Sequence, residues 1–162
     1  MEYLVLSDSH GRADLIDRAL ALQLRAPDAV LFLGDGIRDL RVLEYQDICV
    51  RPVRGNCDFY TLFEGQSAPE HALIEVGAYR ILMMHGHTAG VKGGIAHACA
   101  KAAEAGGASA ICIHGRTTAQ MYGGSADRKI IEKVKNCFRI IRLFSKFPLF
   151  FSTRCRIITE RS

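Results

Sequence analysis

The chain has 162 residues, of which 23% are charged and 49% hydrophobic, a balance typical of a globular domain and not of a disordered chain. This length suits one domain with a real core. The formal net charge of +4 is uneven, because residues 1–127 carry 11 basic against 15 acidic residues, whereas residues 128–162 carry 10 against 2. The basic balance therefore comes from residues 128–162, and the body of the chain gives no strong signal for nucleic-acid binding.

We expect neither an N-terminal signal peptide nor a transmembrane helix. Asp8 and Asp14 interrupt the first apolar run too early for a signal peptide, and no uncharged apolar stretch reaches the roughly 18 residues of a transmembrane helix. The six cysteines have no C-x-x-C spacing, which argues against a zinc knuckle and for reduced thiols. We therefore expect a cytoplasmic protein.

Apolar runs alternate with amphipathic segments over the first two thirds of the chain. The predicted strands are residues 3–6, 29–33, 48–53, 71–76, 79–84 and 108–113, and Gly77-Ala78 predicts a hairpin turn between the fourth and the fifth. The predicted helices are residues 12–25, 37–45 and 95–105. This alternation predicts an α/β layered domain over residues 1–127, followed by a basic, apolar C-terminal segment at 128–162.

Polar side chains follow most of the predicted strands. They are Asp8 and His10, Asp35, Asn56, His85 and His87, and His114. Each has a plainer explanation when taken alone: an Asx-type turn at Asp8, a tight turn at Gly34-Asp35-Gly36, a positive φ at Asn56, or surface histidines on a loop. Taken together they favour a shared site, because ligands of open α/β sheets bind outside the carboxyl ends of the strands.

Oxygen and imidazole donors at successive strand ends suit a centre of two divalent ions about 3.5–4 Å apart. In this interpretation Asp35 bridges the ions. Asp8 and His10 hold the first ion, and Asn56 and His85 hold the second. A hydroxide between the ions could then attack phosphorus while the metals neutralise the phosphate oxygens.

The order D-S-H-G (8–11), G-D-G (34–36), G-N-C-D (55–58) and H-G-H (85–87) resembles the calcineurin-like metallophosphoesterase superfamily, and within it the short YfcE-type phosphodiesterases. The resemblance implies an αββα sandwich with mixed sheets. It also implies two divalent metal ions, commonly manganese, with magnesium, zinc, nickel or cobalt tolerated. The implied activity is hydrolysis of a small phosphodiester by a metal-bridging hydroxide.

The resemblance assigns the same metal ligands, with Asp35, Asn56 and His87 as the catalytic residues. His87 would lie next to the metals or contact the phosphate. Cys57 stands where larger relatives have a histidine that stabilises the leaving group, as in the branch that favours diesters. Arg54 is a further candidate neighbour of the phosphate, and its alternative interpretation is a surface arginine at a strand end.

The resemblance stops at the last family motif, G-H-x-H, whose place is taken here by Gly115-Arg116-Thr117-Thr118. The further strands of the family are also missing, so the second sheet could be incomplete. One explanation is a frame shift near residue 114. The other is a genuine tail, in which residues 138–151 form a basic interfacial helix interrupted by Pro148. The alternative function is therefore a non-catalytic or inactive protein of the same fold, as in the retromer subunit.

Overall fold

The computed structural model describes residues 2–59, 67–77, 79–89, 110–113 and 151–156. The first sheet contains β1 (Glu2–Ser7), β2 (Ala29–Phe32), β3 (Cys49–Pro52) and β7 (Phe151–Arg156). The second sheet contains β4 (His71–Val76), β5 (Tyr79–Met84) and β6 (Ala110–Ile113). The helices of these ranges are α1 (Ala13–Ala21) and a 3-10 helix, Ile37–Leu43.

Both sheets are mixed. In the first, whose order is β3-β2-β1-β7, the strands β1, β2 and β3 run parallel, and β7 runs antiparallel to β1. In the second, β4 and β5 form the predicted antiparallel hairpin, and β6 pairs with β5 in parallel. The predicted α/β class with mixed sheets is therefore confirmed, with three strands of the second sheet within the described ranges.

Strand β7 comes from the basic segment that sequence reasoning places after the domain. It pairs with β1 along its whole length, from Glu2 opposite Arg156 to Ser7 opposite Phe151. Phe151 thus lies in a strand and not in the interfacial helix predicted for residues 138–151, whose other residues lie outside the described ranges. The backbone of β7 borders the strand that leads to Asp8.

The first sheet is covered on both faces, because alternate residues of β1 point to opposite sides. Tyr3 and Val5 face the second sheet, whereas Leu4 and Leu6 face the helices. The core between the sheets also contains Leu31, Val53, Val76, Ile81 and Met83. The core under the helices also contains Ile16, Phe32, Leu40 and Leu43. Each fully buried side chain of this size stabilises the fold by about 1.5–3 kcal/mol.

The helices are shorter than predicted. The predicted helix 12–25 is α1, which ends at Ala21, and the predicted helix 37–45 is a 3-10 helix. Both helices bury their apolar faces against the first sheet and thereby support the loops that follow β1 and β2. The predicted helix 95–105 lies outside the described ranges. None of the helices within those ranges has the length and apolarity needed to cross a bilayer.

Candidate metal centre

The loops after β1 and β2 lie side by side and are joined through their backbones. The amide of Asp8 donates to the carbonyl of Gly34 at 2.9 Å, and the amide of His10 donates to the carbonyl of Asp35 at 3.1 Å. This pairing continues the parallel ladder of the two strands past their ends. It places the first two sequence motifs at one rim, as predicted.

Asp35 is the centre of the cluster. Its side chain is buried, and its Oδ2 lies 3.9 Å from His10 Nε2 and 3.5 Å from His85 Nε2. His10 Nε2 also lies 3.5 Å from Asp8 Oδ1. Ligands of one transition-metal ion bind at about 2.0–2.2 Å, so their atoms lie roughly 3–4 Å apart. These spacings therefore fit ions held on two sides of Asp35.

The hydrogen bonds of His85 provide a test of that fit. Its Nδ1 lies 2.8 Å from the carbonyl oxygen of Leu33, so Nδ1 carries the proton and donates it. In the neutral ring Nε2 then carries a lone pair, yet it faces Asn56 Oδ1 at 3.2 Å as well as Asp35. A metal ligand typically donates its other ring N–H to a backbone carbonyl in this way. The residues therefore fit a cation between His85, Asn56 and Asp35.

Three residues of the cluster have left-handed backbones. The φ angles are 60° at Asp8, 44° at His10 and 60° at Asp35, in a region that residues other than glycine rarely adopt. Such strain costs about 1–3 kcal/mol per residue and gathers at functional sites. The strain is concentrated at three donor residues, which supports a functional site that holds these residues in place.

Asp58 holds the loop that carries Asp35, a role that sequence reasoning misses. Its carboxylate accepts from four backbone amides: Asp35 at 2.7 Å, Gly36 at 2.8 Å, Ile37 at 3.0 Å and Gly55 at 2.9 Å. The only signal in the sequence is its place at the end of the G-N-C-D motif. Asp58 thereby joins the loops after β2 and β3.

Asp39 holds the loop after β1 in the same way. It is buried, and its Oδ2 accepts from Ser9 Oγ at 2.5 Å and from the Gly11 amide at 2.9 Å. Its place in a predicted amphipathic helix hides this role in the sequence. The two bonds fix the turn on which His10 is carried.

Glycines bring the loops after β2 and β3 into backbone contact. A Cβ built at Gly34 would lie 2.7 Å from the Cα of Gly55, and one at Gly55 would overlap Asp35 itself. These approaches exclude a larger side chain at either position. The glycines of the G-D-G and G-N-C-D motifs are therefore needed for close packing at the rim.

Cys57 lies at the wall of a small cleft that His10, Asp35 and Arg38 also line. Its amide donates to Asp35 Oδ1 at 2.8 Å, and Asn56 Nδ2 lies 3.1 Å from its sulfur. Burial raises the pKa of the Cys57 thiol, and the neighbouring carboxylate of Asp35 adds to the effect. The thiol is therefore protonated at neutral pH in the metal-free protein.

His87 and Arg54 lie beside the cluster. The His87 ring is 5.5 Å from that of His85, and within the described residues its Nδ1 has no hydrogen-bond partner. Partial burial, with the neighbouring His85, lowers the pKa of His87. Arg54 forms an ion pair with Glu70 at 2.5 Å. His114 and the run 115–118 lie outside the described ranges.

The comparisons with known proteins agree with this geometry. Residues 1–122 match the calcineurin-like phosphoesterase superfamily domain. The probable metallophosphoesterase YsnB of Bacillus subtilis is 30% identical over 113 residues, which are 70% of this chain and 62% of that protein. The chain thus spans less than two thirds of the length of this relative.

Solved structures show the same fold. A predicted phosphoesterase of Streptococcus pneumoniae has 28% identity and a TM-score of 0.52, over 69% of this chain and 60% of that one. Wild-type Vps29 of Entamoeba histolytica complexed with zinc has 22% identity and a TM-score of 0.53, over 70% of this chain and 63% of that one. These likenesses confirm the metallophosphoesterase type of fold that the motifs predict.

Proposed function

The chain belongs to the calcineurin-like phosphoesterase superfamily, and on that premise we propose that it hydrolyses small phosphodiesters with the help of two divalent metal ions. The observation that carries the proposal is the convergence of carboxylate, amide and imidazole donors on Asp35 at one rim. Oxygen and imidazole donors are the ligands that hard and borderline divalent ions prefer.

Asp8 and His10 would hold one ion, Asn56 and His85 would hold the other, and Asp35 would serve both. We propose manganese as the usual ion, with magnesium, zinc, nickel or cobalt as substitutes. Divalent ions in such a centre supply Lewis acidity, which lowers the pKa of water and offsets the negative charge of phosphate.

His87, Arg38 and Arg54 are the candidates for orienting the phosphate of the substrate. Because burial lowers the pKa of His87, its imidazole is neutral near pH 7 and can donate one hydrogen bond to a phosphate oxygen. The cleft beside Asp35 is also lined by Arg38, whose charge suits an incoming phosphate. The ion pair of Arg54 with Glu70 makes Arg54 the weaker of the two candidates.

The proposed preference for diesters rests on the resemblance, because Cys57 follows Asn56 as in the branch that favours diesters. Where larger relatives have a histidine that assists the leaving group, Cys57 offers at most a weak hydrogen-bond donor as a thiol and none as a thiolate.

Hydrolysis of two chromogenic esters tests the proposal. With added Mn²⁺, we expect the full chain to hydrolyse bis-p-nitrophenyl phosphate faster than p-nitrophenyl phosphate. Asp35→Asn should lower kcat by about 100-fold or more, as the loss of a central electrostatic group does in other enzymes. Asp28→Asn, which alters a carboxylate at the other end of β1, is the matched control. Absence of metal-stimulated turnover would contradict the proposal and favour a non-catalytic protein of this fold.

A further inference from the structure

Among the described residues, Cys57 belongs to the second of two groups of side chains that could hold a metal ion. One group consists of Asp8, Asp35 and His85, and the other of His10, Asp35 and Cys57. Asp8 borders both sides, because its Oδ1 also lies 3.5 Å from His10 Nε2. Within each group the potential ligand atoms lie within 4.8 Å of one another. Asp35 is common to both, so the two groups lie next to each other. The sulfur of Cys57 is therefore on the His10 side of the centre.

The local backbone fixes this position. The amide of Cys57 donates to Asp35 Oδ1, which ties the residue to the carboxylate that both groups share. Asn56 Nδ2 donates to the sulfur, and the sulfur lines the same cleft as His10 and Asp35. The thiol is thus directed along the wall of the cleft and stays accessible to an ion entering it.

We propose that Cys57 is a thiolate ligand of the ion held by His10 and Asp35. The step is a proton exchange: the thiol S–H gives its proton to solvent, and a metal–sulfur bond forms. Thiolate selects zinc, cobalt or cadmium over manganese, so this side of the centre would prefer a thiophilic ion. The inference rests on the proposed function, because it uses the same shared carboxylate.

Cys57 as a ligand also changes the set of protein donors available to the two ions. The sequence has Arg116 and Thr118 at the places where the resemblance expects two metal-binding histidines. A thiolate from Cys57 adds one negatively charged protein donor to the His10 side. The side of the centre that contains Asn56 and His85 gains no donor from Cys57. The two sides of the centre should therefore differ in metal preference.

Cobalt titration of the metal-free full chain tests the inference, because thiolate–cobalt bonds give a near-ultraviolet charge-transfer absorption. We expect this absorption in the wild type and in Cys49→Ser, and its loss in Cys57→Ser. Cys49 is the matched control, because it is also an exposed free cysteine and lies in β3. Cys57→Ser should weaken Co²⁺ binding at one site by about 10–100-fold or more, and Mn²⁺ binding at that site by a smaller factor.

Alkylation of the wild-type chain gives a second readout that needs no variant. Saturating Zn²⁺ should protect Cys57 from iodoacetamide and leave Cys49 reactive, as read by peptide mass spectrometry. Charge transfer that persists in Cys57→Ser, or Cys57 that stays reactive under Zn²⁺, would overturn the inference. Cobalt bound without charge transfer would overturn it while the proposed function stands, whereas no binding of Co²⁺ or Mn²⁺ would overturn both.

Discussion

The carboxylate of Asp58 accepts a hydrogen bond of 2.7 Å from the backbone amide of Asp35, the residue at the middle of the candidate metal centre. Three further amides, those of Gly36, Ile37 and Gly55, donate to the same carboxylate. A single side chain of the loop after β3 thus determines the path of the loop after β2. The position of Asp35, the central ligand, therefore depends on Asp58. The carboxylate of Asp58 already accepts four backbone amide hydrogen bonds, so Asp58 does not itself bind metal.

Asp58→Asn should therefore weaken metal binding without removing a ligand. The NH₂ group of the new asparagine donates hydrogen bonds and cannot accept them, so the two backbone N–H groups that face it lose their acceptor and the loop loosens. We expect Mn²⁺ affinity to fall by about 10–100-fold, the range found when residues that support ligands are replaced. Isothermal titration calorimetry measures it.

The control for this prediction is Asp28→Asn. Asp28 also accepts a backbone amide, that of Glu2, but at the opposite end of β1 from the centre. The same chemical change there should leave Mn²⁺ affinity unaltered. An equal loss in both variants would show that general destabilisation, and not the position of Asp35, is responsible.

Replacement of Asp39 should distinguish the two ions, because it should weaken the binding of only one of them. Asp39→Ala removes the acceptor for Ser9 Oγ and for the Gly11 amide, and so frees the turn that carries His10. We expect one of two Mn²⁺ ions to bind at least about 10-fold more weakly while the other is retained. Asp39→Asn keeps one oxygen that can accept both bonds, so it should restore binding. Equal weakening of both ions would contradict this assignment.

Much of the candidate centre is predictable from the sequence, because its donors come directly after apolar strands. The donors follow three strands of the first sheet and one of the second, and their side chains meet at one rim: Asp8, His10, Asp35, Asn56 and His85. Such positions can be read from hydrophobic patterns and the usual binding place of α/β sheets. The structure brings all five together as expected, while their binding of metal stays a prediction.

The supporting residues could not be predicted in the same way. Asp39 and Asp58 act through backbone amides, and which amides lie nearby is known only once the loops are folded. Strand β7 is a further case, because its pairing with β1 joins residues about 150 positions apart. Strand formation depends on such distant partners more than on local propensity. The helical pattern of residues 37–45 likewise gave no sign that the helix would be 3-10.

Gly55→Ala tests the close approach of the two loops. The added methyl group would overlap Asp35, so the carboxylate must move. We expect Mn²⁺ affinity to fall by about 10–100-fold. Gly77→Ala is the control, since Gly77 has φ of +58° in the β4–β5 hairpin and its replacement costs about 1–3 kcal/mol in stability away from the centre. Retained Mn²⁺ affinity in Gly55→Ala would contradict the predicted shift of Asp35.

Metal binding should also stabilise the fold. At a Mn²⁺ concentration of about 100 times Kd, one site adds about 2.7 kcal/mol to the free energy of unfolding. For a chain of this size the Tm should rise by roughly 5–10 °C, because each kcal/mol shifts it by about 2–4 °C. Thermal melts with Mn²⁺, and again after chelation, measure the effect. Asp35→Asn should bind at most one of the two ions, so a rise in Tm as large as that of the wild type would show that the stabilising ions bind elsewhere.

The number of ions bound per chain tests the central role of Asp35 most directly. Calorimetric titration of the metal-free chain with Mn²⁺ should give two equivalents for the wild type and at most one for Asp35→Asn, whose amide oxygen cannot serve both sides. The variant keeps an oxygen that can accept the Cys57 amide, so its loop should stay in place. No bound Mn²⁺ in the wild type, or two ions bound with unchanged affinity by Asp35→Asn, would contradict the account.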